Sequence, residues 1–77
     1  MTNTSDVERF IKRLQSSRKK QGFGRDRLAE LSGVSKSTIV NIENGKHLPY
    51  LHTAIALAKA LNVSLDWLCG LDDKHDC

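Results

Sequence analysis

LAELSGVSKSTIVNIENGK, residues 28–46, decides how this chain is read. Leu28 and Leu31 in the first half, and Ile39 and Ile42 in the second, each make a narrow apolar face at helical spacing. Gly33 stands between them. Two short helices that cross steeply after a turn of three or four residues need a residue at positive φ, which Gly adopts without strain. Ala29, four positions earlier, is small enough to let the helices approach, and Val34 is placed to pin the turn to the core. With Ile39 and Ile42 turned inward, Lys36, Ser37, Val40 and Asn41 are left on the outward face, with Ser35 at the leading cap. A helix serving only a core would not fill its first turn with small polar side chains. An outward helix N-terminus offers backbone N–H groups and a positive dipole end to phosphate. Short polar side chains there can reach base edges: Asn pairs with adenine and Lys donates to guanine.

Helical spacing continues on both sides, with no period-two alternation of strand length, so the chain reads as all-α with five short helices. Val7, Phe10, Ile11 and Leu14 form the apolar face of a first helix, capped by Ser5 or Asp6 and ending near Gln21 before Gly22. The second helix runs from about Arg25 to Leu31, with Gly24 as N-cap and Leu28 and Leu31 inward. The third runs from the Ser35 cap to about Glu43, stopped by Asn44-Gly45. Residues 46–49 make a loop, because Pro49 disfavours helix at the residue before it. A fourth helix, about His52 to Leu61, is apolar nearly all round and should be the most buried, ending at Asn62. Ser64 caps a short fifth helix with Leu65, Trp67 and Leu68. The tail, about 72–77, is polar and is expected to fray.

The chain of 77 residues fits one small domain, residues 1–77, with 39% apolar and 27% charged residues. No apolar run approaches the roughly 18 residues of a membrane span, and no basic-then-apolar leader opens the chain. The expected location is therefore cytoplasmic. Two cysteines, Cys69 and Cys77, do not make a disulfide framework there. The net charge is +3, with a pI of about 9.1. Eight basic residues between Arg9 and Arg27 face one acid, Asp26, whereas Asp66, Asp72, Asp73 and Asp76 face Lys74 near the end. Such asymmetry suits a chain with one polyanion-facing side.

These positions together resemble the lambda-repressor-like (Cro/CI, XRE-type) helix-turn-helix family of bacterial and phage DNA-binding domains. The resemblance runs from about Phe10 to Leu68. It is carried by Arg18, Leu28-Ala29, Gly33-Val34, Ile39, Ile42-Glu43, Gly45, Pro49, residues 58–61 and residues 63–68. It implies a compact five-helix domain whose second and third helices form the helix-turn-helix. It further implies double-stranded operator binding through the major groove, with Ser35, Lys36, Ser37 and Asn41 as base readers. Arg18, Arg25, Thr38, Asn44 and Lys46 become the phosphate contacts. The family usually has Thr-Gln where this chain has Gly24-Arg25. An Arg there can replace the Gln's phosphate contact with a charge-assisted one, but not the amide's donor–acceptor pairing. The family also implies a homodimer, here through Leu48, Tyr50, Leu51 and the segment from Trp67 to Leu71.

The function expected on these grounds is a sequence-specific transcriptional regulator, a repressor of the Cro, prophage-repressor or restriction-modification-controller type on a palindromic operator. The competing class is an antitoxin-type module that grips a toxin and autoregulates its operon. Neither needs a cofactor or a small-molecule ligand, and no enzyme is expected, because no partner acid or metal cluster accompanies Glu43. Glu43 reads instead as structural, paired with a first-helix Arg such as Arg18. Arg9, Lys12 and Arg13 read as a solvated face, Lys19 and Lys20 stay undecided, and Trp67 reads as core. Cys69, His75 and Cys77 match no standard zinc spacing, so no metal site is assigned.

Overall fold

Gly33 turns the chain at φ 76°, ψ 7°, between two eight-residue helices. The computed structural model describes the backbone of residues 4–71 and the side chains of residues 6–71. The helices are α1 (Thr4–Lys20), α2 (Arg25–Ser32), α3 (Lys36–Glu43), α4 (Leu51–Leu61) and α5 (Leu65–Leu68). No strand occurs among the described residues, which matches the all-α expectation.

The helices end where the sequence signals placed them. The Gly33 N–H donates to the Ala29 carbonyl at 2.9 Å, a single left-handed cap that satisfies an orphan carbonyl and reverses the chain. Asn62 does the same work for α4 at φ 58°, a conformation Asn tolerates better than other residues with a Cβ. The Ser35 and Ser64 side chains accept from the N–H groups of Thr38 and Trp67, capping α3 and α5 as read.

Three expectations are corrected. α1 begins at Thr4, so neither Ser5 nor Asp6 is its N-cap, and Asp6 instead lies in the first turn, where its charge favours the dipole. Leu31 is 43% exposed rather than inward. With Leu28 fully buried, the inner face of so short a helix is completed by Ala29 beside it and Phe23 ahead of it, both packed on the core, and Leu31 is turned away. α4 starts one residue early, at Leu51, whose side chain is 70% exposed.

The core gathers Phe10 and Leu14 of α1, Leu28 of α2, Ile39 and Ile42 of α3, and Leu68 of α5 around Ala54, Leu57, Ala58 and Leu61 of α4. α4 supplies more of this cluster than any other helix, as its all-round apolar character required. Each fully buried Leu or Ile contributes about 2 kcal/mol relative to exposure. α2 packs on α3 and α4, α1 on α3 and α5, and α4 on α5. Ala29 and Val34 lie against the core, as expected of a close helix crossing and a pinned turn. The polar segment 72–77 lies outside the described residues.

Candidate nucleic-acid interface

α3 turns Ile39 and Ile42 inward, and this fixes what faces out. Ser35, Lys36 and Ser37 are exposed, and Thr38, Val40 and Asn41 are half-buried. The leading end is pre-set by two hydrogen bonds. Thr38 N–H donates to Ser35 Oγ at 3.2 Å, and the two hydroxyl oxygens lie 2.7 Å apart. Ser35 and Thr38 therefore hold each other, whereas Ser37 is exposed one residue away. Asn41 is on the same side and edges a groove formed with His47, Leu48, Pro49 and Tyr50. Asn44 and Lys46 follow the helix and are exposed, and the Lys46 N–H closes the last turn by donating to the Asn41 carbonyl at 2.8 Å.

Beneath the far end of α3 lies Glu43, fully buried in its side chain. Oε2 accepts from Arg18 Nε at 2.9 Å, and Oε1 accepts from Arg18 Nη2 at 3.2 Å and from Arg25 Nε at 2.9 Å. Arg18 is spent further by donating Nη1 to the Phe23 carbonyl at 2.9 Å, and its side chain is 9% exposed. The pairing of Glu43 with Arg18 matches the sequence reading. The placement of Arg18 on the phosphate-facing surface is corrected: a buried carboxylate needs a charged partner, and Arg18 is turned in to supply it.

Arg25 is different. Its Nε is tied to Glu43, yet 42% of its side chain is exposed. The fork of a guanidinium leaves two terminal nitrogens for an outside acceptor. Next to it, Lys36 Nζ meets Asp26 Oδ1 at 3.0 Å. Arg18, Arg25, Asp26 and Lys36 line one open polar hollow where the N-termini of α2 and α3 come together. Linear spacing hid this hollow, because Arg25 and Glu43 are 18 positions apart, and Asp26 read only as the lone acid in a basic run.

Two further first-helix cations, Arg9 and Arg13, serve α5. Arg13 stacks its guanidinium over the Trp67 ring, 4.9 Å from the centroid, and donates to the Trp67 carbonyl. Arg9 Nη1 donates to the Gly70 carbonyl at 3.4 Å. The solvated-face reading holds for Arg9, which stays exposed, and is corrected for Arg13, which the docking of α5 beside α1 half-buries. Lys12, Lys19 and Lys20 are exposed. Of the residues expected at a dimer contact, Leu48, Tyr50, Leu51 and Leu71 are exposed, whereas Trp67 is half-buried against the core under Arg13. Cys69 ends α5 with its thiol pushed up, first by burial and then by the Asp66 charge. His75 and Cys77 lie outside the described residues.

The profile described as helix-turn-helix matches residues 14–68. The chain belongs to this helix-turn-helix family of transcriptional regulators. A helix-turn-helix regulator of Archaeoglobus fulgidus is 36% identical over 63 residues, 82% of this chain and 90% of that protein. The transcriptional regulator PuuR of Escherichia coli is 38% identical over 65 residues, 84% of this chain but only 35% of PuuR. Among solved structures, the restriction-modification controller C.AhdI of Aeromonas hydrophila superposes with a TM-score of 0.77 at 31% identity, covering 83% of this chain and 97% of that one. A family regulator from Vibrio cholerae gives 0.76 at 31% identity, covering 87% and 39%. The helix-turn-helix chain is thus a DNA-binding regulator of the XRE type, the class its sequence resembles. No helix among the described residues is long and apolar enough to cross a membrane.

Proposed function

We propose that this helix-turn-helix chain is a repressor-type regulator of the Cro, prophage-repressor or restriction-modification-controller kind that binds a palindromic operator as a homodimer. The observation that carries this reading is the outward leading edge of α3. Ser35, Lys36 and Ser37 are exposed, and Asn41 is half-buried on the same side. Lys36 and Asn41 are matched to guanine and adenine edges, and Ser35 and Ser37 to either. Arg25 and Lys46, with Thr38 and Asn44, supply the phosphate contacts that set register. Arg18 is left out of that set, since its side chain is 9% exposed and turned in on Glu43.

The whole domain measures 30 × 29 × 20 Å, less than one turn of B-DNA. One copy therefore reads one half-site, with about three or four base-reading side chains, and a second copy about 34 Å along the duplex supplies the rest. Exposed Leu48, Tyr50 and Leu51 beside the α3–α4 loop, with Leu71 after α5, are the surface assigned to that copy.

A gel shift with salt titration on duplexes selected from a random pool tests the reading. Affinity should fall steeply as salt rises, and the selected sites should be palindromic. Affinity that hardly changes with salt would overturn phosphate-driven binding. Sedimentation showing a strict monomer, both free and on DNA, would overturn the homodimer.

A further inference from the structure

We infer that Asp26 is a specificity-determining residue, which acts by holding the Lys36 ammonium in place at the leading edge of α3. The inference rests on the DNA-reading role proposed for that edge. Its observation is the Lys36 Nζ–Asp26 Oδ1 contact of 3.0 Å between two side chains that stay 57% and 79% exposed. A pair so exposed adds little to stability. Its place is the notable feature: an acid stands in the hollow that also holds Arg25 and Lys36, on the face assigned to a polyanion. There it works against binding to phosphate in general.

Asp26 does not weigh equally on all DNA. Lys36 has a flexible four-carbon stem and three N–H donors. Left alone, it would swing to whichever phosphate is nearest, and that contact carries no sequence information. Held by Asp26, it must break an ion pair to do so. Donation to guanine O6 or N7 is compatible with the tether, because one N–H stays on Asp26 while two remain for the base. Arg25 shows the contrast. Its anchor is a buried carboxylate and its free end is aimed outward, so it serves any backbone. Lys36 is anchored by an exposed carboxylate on the reading surface, so its use is filtered.

The test measures affinity for two duplexes of equal length. One is the site recovered by selecting a random DNA pool with the wild-type chain, and the other carries that site scrambled. Asp26→Asn should tighten binding to the scrambled duplex by about three- to tenfold, while tightening the selected one less. The ratio of the two affinities falls, and guanine preference at the base facing Lys36 relaxes. In a Lys36→Ala background the same Asp26→Asn change should leave the ratio where it was, because no ammonium remains to be held. Equal tightening on both duplexes in both backgrounds would mean that Asp26 is only a repelling charge, and would overturn the inference. So would no change on either. Both outcomes leave the DNA-binding reading intact, whereas a wild-type chain that binds neither duplex overturns the reading and the inference together.

Discussion

Arg18 near the end of α1 grips Glu43 at the end of α3 through two nitrogens, at 2.9 and 3.2 Å, with the carboxylate side chain wholly out of solvent. The contact joins the first helix to the reading helix, and Arg25 shares the same carboxylate from α2 at 2.9 Å. One buried acid thus sets the relative positions of three helices. Glu43→Ala should cost about 3–5 kcal/mol, because it strands Arg18 without a counter-charge. A domain of 77 residues has about 4–12 kcal/mol in all, so the urea midpoint should collapse. Arg18→Met combined with Glu43→Leu should recover most of the loss, since apolar replacement removes both charges at once. A midpoint unmoved by Glu43→Ala would show the triad to be ornamental.

The turn makes a separate prediction. A Cβ built on Gly33 meets nothing within 4 Å, so a substitution there is limited by its positive φ alone. Gly33→Ala should destabilise by about 1–2 kcal/mol, and Gly33→Asn by less, because Asn visits the left-handed region more readily. Equilibrium denaturation of the two variants reads the difference directly. Equal losses would indicate a steric cause.

Arg25 and Asn41 should fail in different ways. Arg25→Ala removes a cation proposed to contact phosphate, so it should weaken all duplexes alike and lower the salt slope by about one. Asn41→Ala removes a side chain proposed to read a base, so it should cost about 1–3 kcal/mol on the preferred site and relax the preference there. Anisotropy titrations over a panel of single-base variants separate the two patterns. Identical profiles would deny the division of labour.

Cys69 offers a pH test away from the DNA-facing surface. Its thiol is pushed up by burial and by the Asp66 charge, so less thiolate exists at neutral pH than in free cysteine. In a Cys77→Ser chain, iodoacetamide should label Cys69 more slowly than free cysteine at pH 7.5 and catch up only at more alkaline pH. Asp66→Asn should speed labelling slightly, since the charge is the lesser of the two causes. Labelling as fast as free cysteine would contradict the burial.

What the sequence disclosed, and what it withheld, follows from how local each signal is. Gly33, Ser35, Asn62 and Ser64 declare helix ends through their own backbone preferences, so four of the five helices could be read to within a residue or so. Leu28 and Leu31 satisfy a helical period equally well, and only the neighbours in space decide that Leu28 is buried and Leu31 is not. The outward face of α3 was legible as the remainder once Ile39 and Ile42 were turned in. The links from Arg25 to Glu43, Lys36 to Asp26 and Arg13 to Trp67 were not, because each joins residues 10 to 54 positions apart on different helices. Charge counting saw a basic stretch, and the fold divides it. Arg9 and Arg13 serve α5, Arg18 serves the core, and Arg25 is left half outward.

The central claim is that the leading edge of α3 meets DNA. Isotope-labelled protein titrated with the selected duplex, followed by amide chemical shifts in solution, tests it most directly. The account predicts the largest shifts at residues 35–38, Asn41, Asn44 and Lys46, with Arg25 and Asp26 beside them, while the α5 amides stay nearly still. Large shifts on α5 and the exposed face of α1, with residues 35–41 unmoved at saturation, would contradict it.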